Sequence, residues 1–118
     1  MEEDFISSGL VSYMDDSWKT ALDCFNKAVE KNASSFEAYL YRGCTNLKLG
    51  NYEEAIRDFN QGELIKSSNY DLFYNRGKAY LFNLEFSYAA KDFSSALEIE
   101  NLTKEQIDNV NKYLTRLN

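Results

Sequence analysis

Residues Arg42–Phe59 read RGCTNLKLGNYEEAIRDF, and Arg76–Phe93, 34 places on, read RGKAYLFNLEFSYAAKDF. The same offset runs without a gap along most of the chain. Gly9, Gly43 and Gly77 fall in register, as do Trp18, Tyr52 and Phe86. Ala21, Ala55 and Ala89 form a third column, Phe25, Phe59 and Phe93 a fourth, and Ala28, Gly62 and Ala96 a fifth. Size-matched columns at one period are the mark of a repeat protein, in which each copy is one supersecondary unit.

Each copy divides into two helical patterns. In the middle copy Tyr39, Gly43, Leu47 and Leu49 share one face, and Ala55, Ile56, Phe59 and Leu64 share another. Between them Leu49-Gly50-Asn51 reads as a turn, with Asn51 capping the second helix and Glu54 completing a capping box. Small residues in the Gly43 and Ala55 columns let two helices approach closely. The pattern predicts helices near 2–14, 17–31, 35–48, 51–65, 69–82, 85–99 and 103–117. Gly62, about 1 kcal/mol worse than alanine inside a helix, points to close packing or a bend. Thr103-Lys104-Glu105-Gln106 is a further capping box, followed by an apolar stripe of Ile107, Val110, Leu114 and Leu117.

The spacing resembles the tetratricopeptide repeat, a helix–turn–helix unit with the pattern W-x2-L-G-x2-Y, A-x3-F and a closing proline. Phe5-x2-Ser8-Gly9, Tyr39-x2-Arg42-Gly43 and Phe73-x2-Arg76-Gly77-x2-Tyr80 fit its first part with substitutions. Ala21 and Phe25, Ala55 and Phe59, and Ala89 and Phe93 meet the second. Ser8, Arg42 and Arg76 replace the leucine, Ser12 and Asn46 the tyrosine, and Ala33, Ser67 and Asn101 the proline. The resemblance implies an all-α fold: a right-handed α-solenoid of three repeats (2–35, 36–69 and 70–103) and a C-terminal capping helix (104–118). A solenoid's last repeat exposes an apolar face unless something covers it, which is the role expected of 104–118. The rival reading makes that segment the first helix of a fourth repeat.

Composition narrows the function. The chain's 118 residues suit one domain. A net charge of −6 is the wrong sign for a nucleic-acid surface. No run of about 18 apolar residues occurs, so no membrane partner is expected, and the acidic start MEEDFISSG is unlike a signal peptide. A cytoplasmic location is the expectation. Asn32-Ala33-Ser34 and Asn101-Leu102-Thr103 then read as turns rather than glycosylation sites. Cys24 and Cys44 read as reduced, packed thiols, with a disulfide between them left open.

Nothing in the pattern carries catalysis. Histidine, the commonest general base and metal ligand, is absent. No nucleophile elbow, phosphate loop or calcium loop occurs. The pairs Asp15-Asp16 and Glu53-Glu54 sit at turns, where acids near a helix start are favoured by its dipole. Cys44 has no histidine to activate it. The expectation is a non-enzyme without cofactor or metal.

What remains is a surface for a protein or peptide. Solenoids of this kind present an extended concave face. The resemblance places groove-facing residues at the second, fifth, ninth, twelfth and thirteenth positions of each repeat. These are Glu3, Ile6, Leu10, Tyr13 and Met14; Glu37, Leu40, Cys44, Leu47 and Lys48; and Asp71, Tyr74, Lys78, Leu81 and Phe82. The expected partner-binding set is Glu37, Leu40, Cys44, Lys48, Asp71, Tyr74, Lys78, Leu81 and Phe82. An acidic second position beside an apolar fifth suits a segment with apolar anchors and some Lys or Arg. Acids in the first turn also stabilise a helix without any ligand.

Many members of the family hold the acidic tails of heat-shock chaperones with a clamp of Lys, Asn and Arg. Its positions here hold Ile6, Leu10, Tyr41, Asp71 and Asn75, so a chaperone tail is not expected. Arg42 and Arg76 recur at matching places, as do Arg57-Asp58 and Lys91-Asp92; positive residues beside acidic ones on a helix surface read as exposed ion pairs worth a few tenths of a kcal/mol rather than anion ligands. The alternative function is a structural subunit that self-associates weakly or scaffolds an assembly through its convex or end faces. An exposed stripe of Phe36, Tyr70 and Tyr88 would support it.

Overall fold

The computed structural model describes residues 4–117, and among these it contains seven α-helices and no strand. They are α1 (Phe5–Met14), α2 (Trp18–Lys31), α3 (Phe36–Lys48), α4 (Tyr52–Ile65), α5 (Tyr70–Phe82), α6 (Phe86–Leu97) and α7 (Lys104–Leu117). Each predicted helix is found. The first two places of the first prediction, residues 2 and 3, lie outside the described residues. The sixth helix stops at Leu97 rather than 99, because Glu98 N–H and Ile99 N–H donate back three residues, to Ser95 and Ala96, and tighten the last turn.

The chain divides into two compact units between Ser67 and Ser68. In the first, α1 packs on α2, α2 on α3 and α3 on α4; in the second, α5 packs on α6 and α6 on α7. Each helix pair is built on one glycine and one phenylalanine. Phe25, Phe59 and Phe93 are wholly buried, their rings lying over Gly9, Gly43 and Gly77. A Cβ on Gly43 would sit 2.6 Å from Phe59 Cε1, and one on Gly77 2.7 Å from Phe93 Cε1. Ordinary carbon contacts are about 3.5–4 Å, so only glycine allows this approach. The two strongest columns of the sequence are thus the two sides of one contact.

The turns inside the pairs also repeat. Ser17 N–H donates to Ser12 O at 2.9 Å, and Asn51 N–H to Asn46 O and Glu85 N–H to Tyr80 O, both at 2.8 Å. This is the Schellman closure, which needs one residue in the left-handed region. That place holds Asp16 (φ 59°), Gly50 (φ 80°) and Leu84 (φ 63°). Leucine there is disfavoured by about 1 kcal/mol or more, since its Cβ crowds the following carbonyl.

Four expectations are corrected. Asn51 does not cap α4 through its side chain; its amide donates to Asn46 Oδ1 at 3.2 Å, and Glu54 lies 3.7 Å from Arg57 instead of closing the box. Leu64 is 81 % exposed, off the face that Ala55 and Phe59 bury. Phe36 and Tyr70 are buried while Tyr88 is exposed, so the three form no surface stripe. Finally, Arg42 and Arg76 do not make exposed pairs with near neighbours. Each reaches across its hairpin to an aspartate 16 residues on: Arg42 Nη2 to Asp58 Oδ1 at 2.8 Å, Arg76 Nε to Asp92 Oδ2 at 2.8 Å. Asp58, Asp92 and Arg76 are buried. The first copy carries Ser8 and Cys24 at the two matching places, so it lacks both charges together.

Gly62 is buried and α4 runs through it unbroken. Asn32 ends α2 and its Oδ1 accepts from Ser34 N–H at 3.0 Å, while Asn101 turns the chain at φ 61°, so both tripeptides are turns. The second capping box closes reciprocally: Thr103 N–H donates to Gln106 Oε1 at 2.9 Å and Gln106 N–H to Thr103 Oγ1 at 3.1 Å. Of the α7 stripe, Val110 is wholly buried, Leu114 and Leu117 are half-buried, and Ile107 is partly exposed. Asn111 stands in the glycine column, so α7 carries a side chain where α1, α3 and α5 leave room for a ring. Among the described residues no helix is long and apolar enough to cross a membrane.

Candidate peptide-binding surface

In the first unit the expected surface residues come from α1 and α3. Ile6, Leu10, Tyr13 and Leu47 are half-buried and Met14 is exposed; Glu3 lies outside the described residues. Glu37 is exposed in the first turn of α3, where a carboxylate meets the positive end of the helix dipole. Leu40 is buried, so it belongs to the packing beneath the surface and presents little area of its own. Cys44 and Cys24 are half-buried thiols that are not joined in a disulfide. Tyr13 packs edge-on against Trp18, with ring centroids 4.9 Å apart. Burial, helped by Cys44 nearby, pushes the Tyr13 hydroxyl up to about 12. Exposed Lys48 closes this end, its Nζ 5.6 Å from the Trp18 ring centre.

In the second unit the residues come from α5, and α7 adds to them. Asp71 is exposed in the first turn of α5. Tyr74 is half-buried in an aromatic cluster: it stacks on Tyr70 at 5.6 Å and meets Tyr113 of α7 at 6.2 Å, and Tyr113 itself stacks on Phe93 at 5.5 Å. Tyr70 donates its hydroxyl to Gln106 O at 2.9 Å, tying α5 to α7. Burial raises the Tyr70 hydroxyl to about 12 and that of Tyr74 in the same direction. Lys78 Nζ lies 4.6 Å over the Tyr74 ring, a distance at which ring and ammonium attract. Leu81 is half-buried and Phe82 is 44 % exposed.

Two things were missed by sequence reasoning. Tyr113 entered no motif, although its place on α7 puts it beside Tyr74. The turn after α5 exposes Leu84 and Phe86 beside Tyr88, the one exposed aromatic of the expected stripe, and the clue was present: a leucine in the column of Asp16 and Gly50. The arginines, by contrast, are accounted for. Arg42 gives Nε and Nη2 to Asp58 and Nη1 to Asn26, at one side of a polar cavity of about 560 Å³ that Asn46, Asn51, Arg57 and Gln61 also line. Among the described residues no group of three or more His, Cys, Asp or Glu side chains could hold a metal ion.

The fold and these residues can be set against known proteins. Residues 24–57 match a family model described as Tetratricopeptide repeat. Over 96 residues the chain is 30 % identical to a protein of Oryza sativa subsp. japonica described as "Protein SGT1 homolog", which covers 81 % of this chain and 25 % of the rice protein. The chain thus spans about a quarter of the length of that curated relative. Among solved structures it is similar to the Arabidopsis OM64 TPR domain, with 25 % identity, a TM-score of 0.88, and coverage of 96 % of this chain and 90 % of that one. It is also similar to the second TPR domain of human RPAP3, solved with the HSP70 peptide SGPTIEEVD: 23 % identity, TM-score 0.83, covering 96 % and 91 %.

Proposed function

We propose that this chain, which belongs to the tetratricopeptide-repeat family, is a cytoplasmic, non-catalytic module that binds a peptide segment of a protein partner. In this reading the three helix pairs form a right-handed solenoid, α7 caps it, and the peptide lies in the concave groove lined by the first helix of each pair. Asn111 supports the capping role, since a following helix could not bring a phenylalanine ring onto α7 as Phe93 lies on α5.

The observation that carries the reading is the α5 face. There exposed Asp71 stands one turn from the Tyr74 ring, with Lys78 over it and Phe82 partly exposed beyond. Glu37 repeats the acid on α3. A segment with apolar anchors and a Lys or Arg fits this better than an acidic tail. The human RPAP3 domain holds an acidic HSP70 peptide, but here the clamp positions offer Ile6, Leu10, Tyr41, Asp71 and Asn75. None is a cation, and the Asn75 amide already donates to Asp71 O at 2.8 Å. Lys48 and Lys78 lie over Trp18 and Tyr74. Asp71 would repel a carboxylate that approached it.

The test is affinity capture from a lysate of the source cell, comparing wild type with Glu37→Lys/Asp71→Lys. Both sites are exposed, so the variant should keep its helical circular dichroism. A partner captured by wild type and lost with the variant supports the reading. Partners that survive both charge reversals, or a chain that captures mainly itself, refute it.

A further inference from the structure

The α5–α6 turn holds four apolar side chains out to solvent: Phe82 (44 % exposed), Leu84 (73 %), Phe86 (51 %) and Tyr88 (59 %). Two of them, Leu84 and Tyr88, are bulky apolar residues only in the third copy. Where it has Phe82, Leu84 and Tyr88, the second has Lys48, Gly50 and Glu54, and the first has Met14, Asp16 and Thr20. The turn itself is the same in all three, closed by the same backbone bond and the same left-handed residue. Its folding therefore requires none of the three. Leu84 is the sharpest case. It occupies a left-handed position that suits Gly or Asp, and it recovers no burial in return.

The geometry assigns this turn as a docking surface for a short segment of another protein that carries two or more apolar side chains beside a lysine or arginine. Residues 81–90 contain one charged group, Glu85, and no cation. Asn83 Nδ2 donates to Glu85 Oε2 at 2.9 Å and so orients the carboxylate beside the apolar side chains. The Tyr88 ring is held by stacking on Tyr80 at 5.2 Å. Aromatic side chains cover about 150–250 Å² each, so the exposed parts of these four sum to roughly 400 Å². A stable interface takes about 800 Å² per partner, which rules against a second copy as occupant and suits a short segment. A second copy would also set Glu85 against Glu85 and one net charge of −6 against another. Leu84, Phe86 and Tyr88 lie outside the groove-facing positions while Phe82 is shared with them, so the two surfaces are told apart by variants that leave Phe82 in place.

The experiment uses Leu84→Gly/Tyr88→Glu, which gives the third turn the residues that the second already folds with. Peptides are selected on the immobilised whole chain from a random dodecapeptide library displayed on phage. Synthetic versions are then titrated against wild type, this variant and Glu37→Lys/Asp71→Lys. The proposal expects a class of apolar, cationic peptides that loses about tenfold or more in affinity with the turn variant and keeps it with the groove variant. The turn variant should melt close to wild type, because relief of the strain at Leu84 offsets loss of the Tyr80–Tyr88 stack. No peptide sensitive to the turn variant would overturn the proposal. So would a wild-type dimer by sedimentation that the turn variant dissociates, since the occupant would then be a second copy.

Discussion

Replacing Gly43 by alanine sets two effects of opposite sign against each other. Alanine is favoured over glycine inside a helix by about 1 kcal/mol, so α3 taken alone should gain. The added Cβ, however, would lie 2.6 Å from Phe59 Cε1 and 2.9 Å from both Cδ1 and Cζ. The ring cannot swing into solvent, because Phe59 is wholly buried. Relief needs α3 and α4 to move apart or the ring to leave its rotamer, an overpacking cost of about 1–3 kcal/mol. After the helix gain is subtracted, a net loss of about 1 kcal/mol is expected. For a chain of this length that corresponds to a fall of about 4 °C in the melting midpoint read by circular dichroism. Phe59→Leu, destabilising in wild type, should be less so beside Gly43→Ala, and a double-mutant cycle reads that coupling. Gly50→Ala is the contrast: nothing lies within 4 Å of its Cβ, so its loss arises from φ 80° alone and should not couple to residue 59. A midpoint that rises in Gly43→Ala would refute the close approach on which each helix pair is built.

Three other perturbations probe different contacts. Asp92→Ala leaves Arg76 buried without its carboxylate and should cost about 3–5 kcal/mol; Arg76→Ser/Asp92→Cys, which copies Ser8 and Cys24, should recover much of that in chemical denaturation. Tyr13 and Tyr70 have hydroxyls raised from the ordinary 10 to about 12 in the folded chain. The folded state then holds protons that the unfolded state releases, so stability is full below pH 10 and falls as pH rises toward 12. Tyrosinate absorbance should show a set of late-titrating hydroxyls, one of which is lost in Tyr70→Phe. Thr103→Ala breaks the reciprocal cap at the start of α7 and should cost about 1 kcal/mol, read as a lower midpoint in urea.

Seven helices could be read from the sequence because small and large residues recur in fixed columns, and the reason is now concrete. Gly43 and Phe59 are two halves of one contact, and neither can vary alone. The capping box at Thr103 was equally legible, being a local pattern fulfilled locally. The similar pattern at Asn51 was not, because the Schellman turn brings Asn46 within reach and its side chain competes for the Asn51 amide. Arg42 and Arg76 misled for a related reason. The usual tendency of surface cations to pair with acids beside them suggested exposed pairs, whereas the true partners are 16 residues away across the hairpin. At the candidate surface, the acids Glu37 and Asp71 are exposed. Leu40 is not, since an apolar residue in a first helix can face either surface or core and its type does not say which. Burial of that kind is decided by neighbouring helices, which a repeat register locates only to the nearest face.

Calorimetric titration of the whole chain with SGPTIEEVD, the HSP70 peptide in complex with the human RPAP3 domain, decides whether this surface takes an acidic tail or rejects one. No saturable binding is expected up to roughly millimolar peptide, because the clamp positions carry no cation and Asp71 opposes the tail. A dissociation constant in the micromolar range that is lost when the peptide's terminal carboxylate is amidated would contradict that expectation.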